Sequence, residues 1–298
     1  MYTKISSDII TSSTEINEIT KGFSHDKKYV VNGQYLVRIF PQGEEEKRKE
    51  EFNCIQTLSN YSQFVPKTYE FGHLADNEFS YMILEFLPGD DAESVLPQLS
   101  GDEQYEAGFL AGKELKKLHQ LHAPESTIDW FTQKKKKSDN YLEELQTVPV
   151  DDRLKELLAT YIKQHEHLMR NRPNTFQHDD FHPSNLLIHN KVFSGIIDFQ
   201  RMDWGDPLHD LTKIGFFSKR ISVEFSRGVL EGYHSEEGIS EVFWELYSLY
   251  SAMHIVSAIV WGLRMSQEQF ETLLGYSLDV LADHDDFKQT IPKWYKNK

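Results

Sequence analysis

Residues 176 to 212, FQHDDFHPSNLLIHNKVFSGIIDFQRMDWGDPLHDLT, constrain this chain more than any other stretch. Two short β-prone runs, Leu186 to His189 and Phe193 to Asp198, flank Asn190-Lys191, a pair suited to a tight turn. The pattern predicts a two-strand ribbon. Such a ribbon brings Asn185, just before its first strand, close to Asp198, at the end of its second. Two oxygen ligands held near each other suit Mg2+, a hard cation that takes few protein carboxylates. A polar turn ahead of an ordinary hairpin would account for any one of these features. His178, Asp180, Asn185, Asp198 and the hairpin together favour a chemical site over that bland alternative.

Asp180 precedes Asn185 by five residues, and Asp198 follows it by thirteen. This spacing resembles that of protein-kinase catalytic loops, in which an Asp-Phe-Gly element follows. On that resemblance Asp180 accepts the hydroxyl proton of a phosphate acceptor, while Asn185 and Asp198 hold magnesium against the ATP phosphates. More closely, the segment is similar to the aminoglycoside phosphotransferase, or choline-kinase-like, family of small-molecule kinases. That family carries His-Gly-Asp, four residues, Asn, and later Ile-Asp-Phe/Leu-Gly. His178, Asp180, Asn185 and Asp198 match, with His178 and Asp180 as the implied catalytic pair. Asp179 stands where the family has Gly, and Gln200 replaces the final Gly. Neither change removes a catalytic group, although Asp179 adds a second carboxylate beside the base. Gly205-Asp206-Pro207 and Asp210 match a further family motif.

The resemblance covers nearly the whole chain and is nearest to a branch from Gram-positive bacteria. It implies an α+β, bilobal, protein-kinase-like fold. Residues 1–87 would form a small β-rich nucleotide-binding lobe, and residues 88–298 a larger helical lobe with the catalytic loop and acceptor site. The implied activity is Mg-dependent transfer of the γ-phosphate of ATP or GTP to a small-molecule hydroxyl. An aminoglycoside antibiotic is the first choice of acceptor. A metabolite such as an amino alcohol, amino acid or sugar is the alternative, as is a weakly active nucleotide-binding protein, suggested by Arg38 and Asp179. A metallohydrolase built on His178, Asp179, Asp180 and His182 would leave the Asn185 and Asp198 pairing unexplained, and its metal would need more ligands with outer support.

At 298 residues the chain is long enough for two lobes with sizeable cores. No apolar run reads as long enough to span a bilayer, and the first twenty residues lack the pattern of a signal peptide. The single Cys54 excludes an intrachain disulfide and points to a reducing cytoplasm. A net charge of -15 argues against nucleic acid as a partner and is compatible with a cationic acceptor, although such acidity is common in bacterial cytoplasmic proteins. A monomer or weak dimer is expected.

In the first part of the chain, residues 14 to 20, Tyr29 to Val31 and Tyr35 to Phe40 read as strands, with Asn32-Gly33 as a hairpin turn. The loop between the first two strands matches the family's nucleotide-positioning loop and supplies Ser24 and Lys28 as phosphate contacts. Alternation puts Leu36, Arg38 and Phe40 on one face, so Arg38 points to a buried or cleft side. In kinases this position is a lysine that contacts phosphates and pairs with a helix Glu. Glu51, in a helix from Glu44 to Leu58, is the chosen partner. Tyr81 to Phe86 reads as an apolar strand running into the hinge, where the family binds the adenine edge. Glu85, Phe86 and Leu87 fall there.

The rest reads as helical. Glu103 to His122 shows apolar residues at helical spacing, and Leu154 to Met169 forms another helix. His119 and His122 read as cap or packing residues, and His182 as a residue that shapes the loop. The basic run Lys134 to Lys137 reads as a solvated loop or helix end. Along 239 to 266, Trp244, Tyr247, Tyr250, His254 and Trp261 form an aromatic stripe. Such a stripe is more often core than site, and one or two members are expected in the acceptor pocket. With Asp206, Glu241 and Glu245, Trp244 is the expected acceptor contact.

Overall fold

A computed structural model describes residues 5, 7–10, 15–20, 26–74 and 78–296. Five strands open the chain: β1 (Ile16–Ile19), β2 (Lys27–Val31), β3 (Tyr35–Pro41), β4 (Thr68–His73) and β5 (Phe79–Glu85). They form one antiparallel sheet in the order β1-β2-β3-β5-β4. Asn32 and Gly33 turn β2 into β3 at left-handed φ values of 53° and 63°, which Gly adopts freely and Asn tolerates. The expected alternation holds. Tyr35, Val37 and Ile39 pack with Val31 and Ile83 on one side, while Leu36 and Phe40 join Met82 and Leu84 on the other. The helix α1 (Glu45–Leu58) covers that second side with Phe52, Ile55 and Leu58.

The larger part is helical. Its helices are α2 (Ala92–Val95), α3 (Gly101–Leu118), α4 (Trp130–Leu145), α5 (Asp152–His165), α6 (Thr212–Phe216), α7 (Val223–Tyr233), α8 (Glu241–Met265), α9 (Gln267–Asp283) and α10 (Lys293–Lys296). Ser100 and Glu103 start α3 with a reciprocal capping box. The helix ends at Leu118, short of the expected His122, because the chain turns there and His122 bridges Thr175 instead. Its buried face combines the large Leu115 and Leu118 with a run of small residues. Ala107, Gly108, Ala111 and Gly112 face α7, and a Cβ on Gly108 would lie 2.1 Å from the Phe225 carbonyl oxygen. The basic run Lys134 to Lys137 lies within α4 rather than in a loop.

An 18-residue stretch of α8 is apolar enough to cross a membrane, contrary to the reading that no run is. It is 78% buried inside the protein, as expected of the central helix of a core. Between the two halves, β6 (Asp90–Asp91) edges the hairpin of β8 (Leu186–His189) and β9 (Val192–Ile196), and β7 (Thr175–Gln177) pairs with β10 (Asp203–Gly205). Asn190 and Lys191 make the tight turn of the hairpin at φ of 50° and 70°.

Candidate active site

The loop after β7 is pinned from behind by Asp210. Its buried carboxylate accepts from His178 N–H at 2.7 Å, Asp179 N–H at 2.8 Å and the His119 ring at 3.0 Å. Burial works to raise this carboxyl, but His119 and the loop amide outweigh it and hold it low. Asp179 has a φ of 56°. That conformation explains the glycine of the motif, and Asp is among the few other residues that enter it readily. His178 is fully buried. Its Nε2 donates to the Ile197 carbonyl at 3.0 Å, and its Nδ1 accepts from Asp180 N–H at 3.3 Å. With both nitrogens spent on backbone, His178 orients the loop and does not reach a substrate. This corrects its assignment as a catalytic residue.

Asp180 faces the cleft. Its carboxylate meets Asn185 Nδ2 at 3.2 Å, His182 Nε2 at 3.3 Å and Arg201 Nε at 3.6 Å. Burial would raise its pKa, yet the His182 hydrogen bond and the charges of His182, Lys213 and Arg201 hold it well below the usual carboxylate range. Asn185 also donates Nδ2 to the Asp180 carbonyl at 2.9 Å. That leaves Asn185 Oδ1 without a donor among the described residues. Ile197 N–H bonds the Asn185 carbonyl at 3.0 Å, so the hairpin brings Asp198 alongside as the spacing predicts. Asp198 is itself left-handed, with φ 63° and ψ 68°. Its carboxylate has no hydrogen-bond or ion-pair partner among the described residues. A free carboxylate and a free amide oxygen form a donor set that fits Mg2+.

Across the cleft, Arg38 is held by two buried carboxylates. Nη1 bonds Glu51 at 2.6 Å, while Nη2 and Nε bond Asp26 at 2.6 and 3.1 Å. Arg48 joins the same network, at 2.7 Å from Asp26 and 3.2 Å from Glu51. Gln200, which occupies the position of the motif's last Gly, donates to Asp26 at 3.1 Å and so ties the segment after Asp198 to this network. Lys28 is the cross-strand partner of Arg38 and shares its face. Ser24 lies outside the described residues. At the hinge, Phe86 N–H is spent on the Gln34 carbonyl and Glu85 N–H on Lys67. Leu87 N–H has no acceptor among the described residues, and the Leu87 side chain packs over Gly195.

The expected acceptor contacts lie elsewhere. Asp206 is 0% exposed and binds Arg172 at 2.6 Å and Tyr250 at 2.7 Å. Trp244 is buried against Phe243, Tyr247 and Tyr295. Glu241 is exposed in the first turn of α8, and Glu245 lies near Tyr161 of α5. At about 1.5 Å of rise per residue, Glu241 stands roughly 20 Å along α8 from His254. It is the His254 level that borders the catalytic loop, where Phe217 packs on both His254 and His182. Four residues stand there that the sequence does not mark for the site: Lys134, His209, Lys213 and Phe217. Lys134 belongs to a run that reads as solvated. Nothing in the sequence around Lys213 marks it.

Comparison with known proteins fits this geometry. No curated protein matches the sequence. Among solved structures, the gentamicin complex of APH(2")-IIa aligns with a TM-score of 0.63 at 20% identity, over 89% of this chain and 91% of that one. The ADP-bound aminoglycoside phosphotransferase APH(2'')-Ib aligns at 0.61 and 22%, over 94% of each. The GDP and kanamycin complex of APH(2")-IIia aligns at 0.69 and 18%, over 91% of this chain and 94% of that one. These likenesses establish the protein-kinase-like fold. Residues 15–243 match the family described as "Phosphotransferase enzyme family", which is most of the chain, and the protein therefore belongs to that family of phosphotransferases acting on hydroxyl groups.

Proposed function

We propose that the enzyme moves the γ-phosphate of a nucleoside triphosphate to a hydroxyl of a small metabolite, with Asp180 aligning that hydroxyl. The observation that carries this reading is the pairing of an ionised Asp180, braced by Asn185, with an unpartnered Asp198 beside it. Asn185 Oδ1 and the Asp198 carboxylate are the residues that would hold Mg2+. When bound, Mg2+ neutralises charge on the β- and γ-phosphates.

The chain's own groups do the rest. Leu87 N–H and the neighbouring hinge carbonyls, on Glu85 and Phe86, receive the base. Arg38 keeps two of its five N–H donors beyond those given to Asp26 and Glu51, and with its cross-strand neighbour Lys28 it faces the phosphates. The acceptor hydroxyl donates a hydrogen bond to Asp180. Its oxygen forms a bond to the γ-phosphorus as the bond to the β-bridging oxygen breaks, and the nucleoside diphosphate leaves with that electron pair. A carboxylate held this acidic is a weak base. It orients the nucleophile first and takes the proton late, which suits the loose transition state of phosphoryl transfer.

A second reading, transfer to an aminoglycoside, is supported by the gentamicin and kanamycin complexes among the structural neighbours. The acidic residues that would attract such a polycation, Asp206, Glu241 and Glu245, are buried or distant from Asp180, and this favours a metabolite. A coupled ADP-release assay over aminoglycosides, amino alcohols, sugars and hydroxy acids decides the matter. Acceptor-dependent ADP release that disappears in Asp180→Ala supports transfer. Release independent of every acceptor would indicate a nucleotide hydrolase or a bystander.

A further inference from the structure

Beside Asp180 stand two lysines that the phosphotransfer machinery does not use, buried Lys213 and half-buried Lys134. Lys213 on α6 is 7% exposed, and its ammonium has no hydrogen bond or ion pair among the described residues. Its backbone N–H bonds the Asp210 carbonyl at 3.2 Å, and its charge acts on Asp179, Asp180, His209 and His254. Lys134, from α4, donates to His209 Nε2 at 2.6 Å. A neutral His209 then carries its proton on Nδ1. That Nδ1 is buried and unpartnered, with Asp179 Oδ1 at 3.5 Å, beyond a good hydrogen bond. His254 Nε2, from α8, is also buried without a partner. Burial, then the charges of Lys134 and Lys213, keeps both rings neutral. Phe216 packs on His254 at 4.5 Å and Phe217 on His182 at 5.1 Å, closing one side.

The Lys213 side chain is largely withdrawn from water and has no carboxylate within ion-pair distance, and a buried N–H without an acceptor is costly. An anion satisfies both at once. A metal cation does not fit. Asp179, His209 and Asp210 could share an ion by distance alone, but Asp210 is spent on His119 and two amides. Asp179 and Asp203 face this side, where their charges act on Lys134. Neither comes within ion-pair distance of Lys213.

We propose that the recess at these lysines binds the acceptor through an anionic oxygen group, a carboxylate or a phosphate, and that the substrate is a small hydroxy acid or sugar phosphate. The proposal rests on the phosphotransferase reading and specifies its substrate class. Lys213 Nζ and His209 Nδ1–H are the donors, Phe216 and Phe217 cover the carbon chain, and the hydroxyl reaches Asp180. A polycation would instead have to lie against Lys134, Lys137 and Lys213.

The test is calorimetric titration of the enzyme saturated with Mg2+ and AMP-PNP, which occupies the donor-phosphate site. The probes are glycerate, glucose 6-phosphate, glucose and kanamycin. At least one anionic probe binds wild type. Its affinity falls more than about tenfold in Lys213→Met, as expected when one partner of a buried charge pair is removed, and largely returns in Lys213→Arg. AMP-PNP affinity is unchanged in Lys213→Met. Binding of kanamycin or glucose with no binding of either anion overturns the proposal. So does failure of all four probes. A loss of AMP-PNP affinity in Lys213→Met as large as the loss for the anion assigns the recess to the donor phosphates and also overturns it. The wild-type ranking of probes stands even where Lys213→Met fails to fold. If wild type does not bind Mg-AMP-PNP at all, the phosphotransferase reading fails, and the same probes titrated without nucleotide still judge the recess.

Discussion

Two groups of cations flank the cleft, Arg38 and Arg48 under the sheet and Lys134 and Lys213 beside the catalytic loop. All four are withdrawn from water to some degree, but only the arginines have counter-ions built in. Asp26 and Glu51 meet them with short bonds. The planar fork of Arg suits such shared, two-sided pairing, whereas the compact charge of Lys suits capture of a single anionic group. The contrast separates two uses of buried charge. Where the protein supplies the partner, the charge holds the architecture. Where it does not, as at Lys213, the charge is left for a ligand.

The largest expected effect lies on the paired side. Glu51→Ala strips a carboxylate from both Arg38 and Arg48, and breaking a buried pair in this way costs about 3–5 kcal/mol. Urea unfolding measures it. A cost below about 1 kcal/mol, the range of an exposed pair, would mean that the network is not structural and would erase the contrast. Next comes Asp180→Ala, expected to lower kcat by about a hundredfold or more while nucleotide affinity holds. Wild-type turnover in this variant would remove Asp180 from the chemistry. Asp198→Ala should weaken Mg-dependent nucleotide binding more than Asn185→Ala, because it removes a full charge. Equal affinities with and without Mg2+ in all three proteins would refute the metal assignment.

Smaller effects sharpen the unpaired side. Burial is the largest cause lowering Lys134, to about 7 from 10.5. Between those values the unfolded chain carries a proton on Lys134 that the folded chain lacks. Stability therefore rises with pH across that window, by at most about 1.4 kcal/mol per pH unit and less where water reaches the side chain. Lys134→Met should flatten this rise in unfolding measured from pH 7 to 10. An unchanged slope would show that Lys134 is charged in the folded protein. The smallest effect belongs to Asp179→Gly. Its φ of 56° suits Gly, so stability should change by less than about 1 kcal/mol and turnover should survive. Lost turnover with intact folding would give Asp179 a function of its own.

What the sequence allows one to read follows the same division. The hairpin and the nearness of Asn185 to Asp198 are local consequences of a turn and two apolar runs. Arg38 and Glu51 follow from strand alternation and helix periodicity. The α3–α7 contact is not legible this way, because periodicity weighs large residues and this contact is made by Gly108 and Gly112. Asp206 matches a motif, yet a motif does not say that its carboxylate is turned inward to Arg172 and Tyr250. Glu241, Trp244 and Glu245 share a helix with His254, but the distance along that helix takes them out of the site. Lys213 escapes because its burial is created by α8 and by the loop after β7, elements remote in sequence.

The central claim is that the buried cations divide by who supplies their partners, and the unfolding free energies of Arg38→Met and Lys213→Met, measured side by side in the absence of ligand, test it most directly. Arg38→Met leaves Asp26 and Glu51 as buried carboxylates with one fewer cation between them, and a large loss of stability is predicted. Lys213→Met replaces an unpartnered ammonium with an apolar chain of similar shape, and stability is predicted to hold or rise. Comparable losses in the two variants, or a greater loss in Lys213→Met, would contradict the account.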